Sequence, residues 1–146
     1  MSIHDFMAAY KRVWEGQDKA GFAALFTPDG AYHNTPFQVQ RGPRELADYW
    51  ARIELQRDIA LRYTVLSESA PATGSGGIAH WHVEYQVASE DLFRIWAAST
   101  GTGLPSRSPG DPLPRMILDG MLSAEFAPDG LCRVARIWWH STVAQP

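Results

Sequence analysis

The chain reads as an α+β domain, a cone-shaped, curved antiparallel sheet packed by about three N-terminal helices. Three features predict this. Helical apolar spacing runs through residues 3–53, period-two alternation takes over from residue 58, and turn residues punctuate the alternating runs. Helices followed by long strands, not the two interleaved, mark the α+β class. Helices laid over one face of such a sheet enclose a hollow.

Ile3, Phe6, Met7, Tyr10, Val13 and Trp14 recur at i, i+3, i+4 and i+7 and predict a helix over Ile3–Glu15. Ser2 with Asp5 three residues on approaches a capping box, and Gly16 stops the helix. A shorter helix is expected over Asp18–Phe26. Thr27-Pro28-Asp29-Gly30 is a turn signal, since Pro presets φ and Gly accepts positive φ. A strand is expected over Ala31–Phe37, then a turn at Arg41-Gly42 and a helix opened by Pro43, with Leu46, Trp50 and Ile53 on one apolar face. Alternation predicts four more strands, Asp58–Ser67, Ile78–Ala88, Arg115–Ala127 and Leu131–Val143, with Ser69–Gly77 a flexible connection and Pro128-Asp129-Gly130 a hairpin turn.

Residues 1–146 form one domain, long enough for a real core, with a long insertion or lid loop at 89–114. The first part of that loop, Ser89–Ser99, carries Leu92, Phe93, Ile95 and Trp96. It reads either as a short helix folded over something apolar or as a strand extension.

Composition removes several classes. Hydrophobic residues make up 45% and aromatics 12%, which is not a disordered chain. Net charge is −3 with Lys and Arg scattered, so no nucleic-acid partner is expected. No apolar run approaches the roughly 20 residues of a membrane span. The N-terminus lacks the apolar core of a signal peptide, so a cytoplasmic location is expected. The single Cys132 excludes an internal disulfide and a multi-cysteine metal site.

The order of elements, carried by ALFTPDGAYHNTPF (24–37), RGPRELADYW (41–50) and EFAPDGLCRVARIWWH (125–140), resembles the nuclear transport factor 2-like superfamily, in particular its SnoaL-like members. The resemblance covers nearly the whole chain outside 89–114. It implies the cone-shaped (cystatin-like) roll just described. It implies no single activity, because the superfamily holds ketosteroid isomerases, scytalone dehydratase, polyketide cyclases, epoxide hydrolases and non-catalytic carriers. Laid against the ketosteroid-isomerase pattern, the helix tyrosine matches Tyr10, the general-base position falls on Asn34 and the acid position on Leu122. An amide cannot take a proton from carbon near neutral pH, and leucine cannot donate to an oxyanion. Steroid-type isomerisation is therefore disfavoured. The Asp–Arg–Asp set of the epoxide hydrolases is not visible on inward positions either.

Alternation and the resemblance agree on an inward face of Tyr32, Asn34, Trp81, Val83, Tyr85, Leu118, Leu122, Ile137 and Trp139, joined by Tyr10, Trp14 and Trp50 from the helices. Such an aromatic hollow with a few polar groups suits a small apolar ligand, and many of the same side chains equally suit plain core packing. Tyr10 and Asn34 are the candidate catalytic or orienting groups, since a buried hydroxyl and a buried amide each need partners. His33, His80, His82 and His140, with Glu84, fall on the opposite face. There we expect an interface or surface role and no metal; an inward, catalytic histidine would need a one-residue bulge. In the family that outer face often pairs two copies, so a homodimer through it is expected.

Three functions follow as alternatives. One is binding of a small apolar or aromatic molecule. The second is a cofactor-independent isomerase, cyclase or dehydratase in which Tyr10 polarises a carbonyl and a histidine, or Glu90 or Asp91, is the base. The third is an interaction module with a vestigial cavity. No cofactor is expected in any of them.

Overall fold

A computed structural model describes residues 1–69, 75–100, 108 and 110–144, with 96–100 as backbone only. The elements are α1 (Ile3–Glu15), α2 (Lys19–Ala23), β1 (Phe26–Thr35), β2 (Gln38–Arg41), α3 (Gly42–Trp50), a 3-10 turn (Ala51–Leu55), β3 (Gln56–Glu68), β4 (Ser75–Val87), α4 (Glu90–Thr100), β5 (Arg115–Phe126) and β6 (Cys132–Val143). The strands form one sheet in the order β2-β1-β6-β5-β4-β3. Every neighbouring pair is antiparallel except β1 and β6, which run parallel. The fold is α+β, a curved six-stranded sheet covered on one face by the N-terminal helices.

Local chemistry accounts for the helices. The capping box forms: Ser2 Oγ accepts the Asp5 N–H at 3.1 Å and Asp5 Oδ2 accepts the Ser2 N–H at 3.0 Å. The buried stripe Ile3, Phe6, Met7, Tyr10, Val13 and Trp14 then presses α1 into the sheet. A polar clamp fixes its far end to β3, where Glu15 accepts from Lys11 at 2.7 Å and from the Leu61 N–H at 2.9 Å.

Tertiary pairing redraws three boundaries. The second helix was expected to reach Phe26 but ends at Ala23, because the Leu25 carbonyl accepts the Cys132 N–H at 2.8 Å and Phe26 enters the β1–β6 ladder. Thr27–Gly30 is accordingly an irregularity inside β1, not a turn ahead of it: pairing with β6 holds Phe26 at one end and Ala31 at the other. The strand expected to reach Phe37 ends at Thr35, whose hydroxyl accepts the N–H groups of Phe37 and Gln38 and turns the chain into β2. Strand β2 has no counterpart in the sequence reading. Between the two readings of 89–99, the helix forms, opened by Ser89 Oγ accepting the Asp91 N–H at 3.0 Å. Residues 70–74, 101–107 and 109 of the two expected loops lie outside the described residues.

The core lies between the helices and the sheet's inner face. On β4, Ala79, Trp81, Val83, Tyr85 and Val87 are buried, while the even positions from Ile78 to Gln86 are exposed or half-buried. Gly120 sits between Trp81 of β4 and Trp139 of β6 in register; a Cβ there would lie 2.5 Å from the Trp138 carbonyl oxygen and 2.8 Å from the Trp81 ring. Glycine is what lets two indoles occupy neighbouring strands on one face. Cys132 is fully buried, and burial pushes its thiol up to about 12, so it is an inert strand residue. No helix among the described residues is long and apolar enough to cross a membrane.

Candidate functional site

The inner face of the sheet, the end of α3 with its 3-10 turn, and α4 enclose a cavity of about 70 Å³. Trp14 enters from α1, Tyr49 and Trp50 from α3, and Arg52 and Ile53 from the turn. The sheet supplies Tyr32, Gln56, Tyr85, Leu118 and Trp139, and α4 closes the space with Leu92 and Ile95.

Each wall is held from behind. The Trp50 indole stacks on Phe22 with ring centres 3.9 Å apart and planes 13° from parallel. The Trp14 indole N–H donates to Gln56 Oε1 at 2.8 Å, two buried polar groups satisfying each other. Gln17, in a left-handed conformation just beyond α1, donates to the carbonyls of Ile53 and Gln56 at 2.9 and 2.7 Å and so fixes the turn that carries Arg52. Arg52 lies over the Tyr49 ring, 4.1 Å from its centroid, and its Nε donates to the Tyr49 carbonyl at 3.2 Å.

Electrostatics in the cavity run one way. Burial pushes the hydroxyls of Tyr32, Tyr49 and Tyr85 above the usual phenol range, while the Arg52 charge pulls all three in the opposite direction. All three remain protonated at neutral pH; the Tyr32 hydroxyl is engaged with that of Tyr10, and the Tyr49 hydroxyl with the Asn34 side chain. Among the described lining residues, Arg52 carries the sole charge, and no carboxylate or imidazole is present.

Of the residues expected to form the site, Trp14, Tyr32, Trp50, Tyr85, Leu118 and Trp139 meet at the cavity. Trp81, Val83, Leu122 and Ile137 are buried in the core behind it. Tyr10 stands one layer back, its hydroxyl 2.7 Å from that of Tyr32. Asn34 is also set back: its carbonyl accepts the Trp139 indole N–H at 2.9 Å, its amide nitrogen donates to Gln38 at 3.2 Å, and its Oδ1 is buried with no partner. Tyr49, Arg52 and Gln56 were missed. Their i, i+3, i+7 spacing carries a signal, but they lie beside the apolar face formed by Leu46, Trp50 and Ile53.

The outer face holds the histidines. His80 Nε2 and His82 Nδ1 meet the two oxygens of Asp119 at 2.8 and 3.0 Å, and His140 pairs with Asp119 in register on β6. Among the described residues, no group of three or more His, Cys, Asp or Glu is placed to hold a metal ion.

The model of the SnoaL-like domain matches residues 7–110. The chain belongs to the SnoaL-like family. No curated protein matches it in sequence. Solved structures match across nearly their full length. One is SalBIII, an epoxide hydrolase/cyclase-like enzyme of pyran ring formation in the polyether salinomycin, at 14% identity and a TM-score of 0.66, covering 97% of this chain and 95% of the other. Another is a type 2 hexachlorocyclohexane dehydrochlorinase, LinA, at 11% identity and 0.71, covering 99% and 87%. A third is a protein from Catenulispora acidiphila with a ketosteroid isomerase-like fold, in complex with trimethylamine, at 11% identity and 0.63, covering 94% and 86%. At such identities the likeness speaks for the fold.

Proposed function

We propose that this SnoaL-like chain binds a small apolar or aromatic molecule in the cavity beneath α4. The observation that carries the reading is the wall of six aromatic rings, Trp14, Tyr32, Tyr49, Trp50, Tyr85 and Trp139, with polar groups at a few points only. The space of about 70 Å³ is smaller than the roughly 150 Å³ that accepts a benzene ring. Entry of a ring therefore displaces Leu92 and Ile95, and α4 acts as the movable cover. Tyr32, with Tyr10 behind it, orients the ligand's polar end; this gives Tyr10 a positioning role. Acid–base chemistry at this site has no base among the described lining residues, which favours binding over the isomerase, cyclase or dehydratase alternative. The test is a panel of indole, phenol, naphthalene and toluene followed by tryptophan fluorescence and thermal shift. Quenching with a raised melting temperature is expected; a silent panel sinks the reading.

The outer face supports a second, compatible reading, a homodimer. Trp138 is 54% exposed there and Ile78 41%, flanking the His80–Asp119–His82 cluster. Exposed apolar groups at the centre of a sheet face suit a second copy. Light scattering of the native chain should show a dimer that Trp138→Glu dissociates; a native monomer at high concentration removes this proposal.

A further inference from the structure

We infer that the ligand of this cavity is an anion, an aromatic or apolar acid whose carboxylate is held by Arg52. The inference rests on the binding reading above and adds the chemical class. Three observations converge on it. The guanidinium is fixed in place, lying on the Tyr49 ring and tied by Nε to the Tyr49 carbonyl. Among the described residues, that leaves both terminal Nη groups without an acceptor and Arg52 without a carboxylate partner. A planar fork with its outer donors unused is the shape that takes a carboxylate bidentately.

The remaining polar groups point to the same ligand. Gln56 gives its oxygen to the Trp14 indole, so what it offers the cavity is an amide nitrogen without a hydrogen bond among the described residues. The hydroxyls of Tyr49 and Tyr85 stay protonated and feel the Arg52 charge. The lining is thus rich in donors and positive, and a ligand rich in acceptors and negative complements it. A cationic ligand, which an aromatic box without Arg52 would hold through its ring faces, meets a like charge here.

Matched probes of nearly equal shape test this at pH 7, with binding read by tryptophan fluorescence: phenylacetate, phenylacetamide and phenylacetamidinium. Phenylacetate should bind tighter than the neutral amide by about tenfold or more, as expected for a charge-assisted pair. Arg52→Gln should weaken the acid more than the amide and bring the two to parity. Arg52→Lys should keep part of the preference, since charge survives and the fork does not. If Arg52→Gln does not fold, the wild-type ranking and Arg52→Lys still decide. Equal binding of acid and amide, tighter binding of the cation, or an acid preference that survives Arg52→Gln overturns the anion inference while the cavity reading stands. If none of the three probes binds, both fall.

Discussion

The hydroxyls of Tyr10 and Tyr32 meet at 2.7 Å in the interior, joining the middle of α1 to the middle of β1. Burial pushes both hydroxyls above the phenol range, so neither ionises at neutral pH and one donates to the other. Tyr32 lines the cavity and Tyr10 does not.

This pair predicts a coupled loss. Tyr10→Phe or Tyr32→Phe alone strands a buried hydroxyl and should cost about 1–3 kcal/mol. The double variant should cost less than the sum, because no orphan is left. Urea unfolding of the four proteins measures the coupling, and strict additivity would show that the two hydroxyls do not share a bond in solution.

Leu92 is the buried anchor of α4, at 3% exposure, whereas Asp91, Arg94 and Ile95 are exposed. Leu92→Ala should remove about 2 kcal/mol or more from the docking of α4. Hydrogen exchange should then quicken across Phe93–Ile95 while β4 and β5 keep their protection. Equal acceleration everywhere would mean that α4 unfolds only with the whole domain.

Gly120→Ala tests the placement of the two indoles. A methyl group there meets the Trp138 carbonyl oxygen at 2.5 Å and the Trp139 Cβ at 2.9 Å, both backbone or close to it. Neither contact yields by a rotamer change, so the substitution should cost at least about 1–3 kcal/mol and alter near-ultraviolet dichroism. A neutral substitution would show that Trp81 and Trp139 do not flank this residue.

Asp119 carries a pH signature. Burial pushes its carboxyl up, but the hydrogen bonds of His80 and His82, with their charges, pull it further down, leaving it below the ordinary 3.8. A carboxyl lowered in the folded state contributes stability above its unfolded value and loses it as pH falls through the folded one. Wild type should therefore exceed Asp119→Asn in stability above about pH 4, with the difference shrinking toward pH 2. A difference that does not vary over that range would show that the two rings do not engage the carboxylate.

Much of the frame was legible because it rests on local periodicity. The α1 stripe, its capping box and the alternation of β4 follow from spacing alone, and the face that holds Trp81 and Tyr85 follows with them. The boundaries around Phe26 and Thr35 were not legible. The first depends on a parallel partner, β6, more than a hundred residues away, which claims backbone groups that a helix would otherwise use, and the second on the Thr35 hydroxyl, which takes the N–H groups of Phe37 and Gln38 and turns the chain into β2. Arg52 was missed for a related reason: it lies on the polar side of an apolar stripe, and only the folding of α4 and β6 toward it makes that side the wall of a cavity.

By itself, then, the sequence determined the class of fold, the α1 stripe and the inward parity of the long strands, because side-chain direction in a helix or strand is set by position in the chain. The tertiary structure decided which of those inward groups touch space and which only touch each other. That outcome depends on where separate elements stop short of one another. Tyr32 reaches the cavity while Tyr10 supports it, and Arg52, the sole charge among the described lining residues, gives the aromatic pocket a sign.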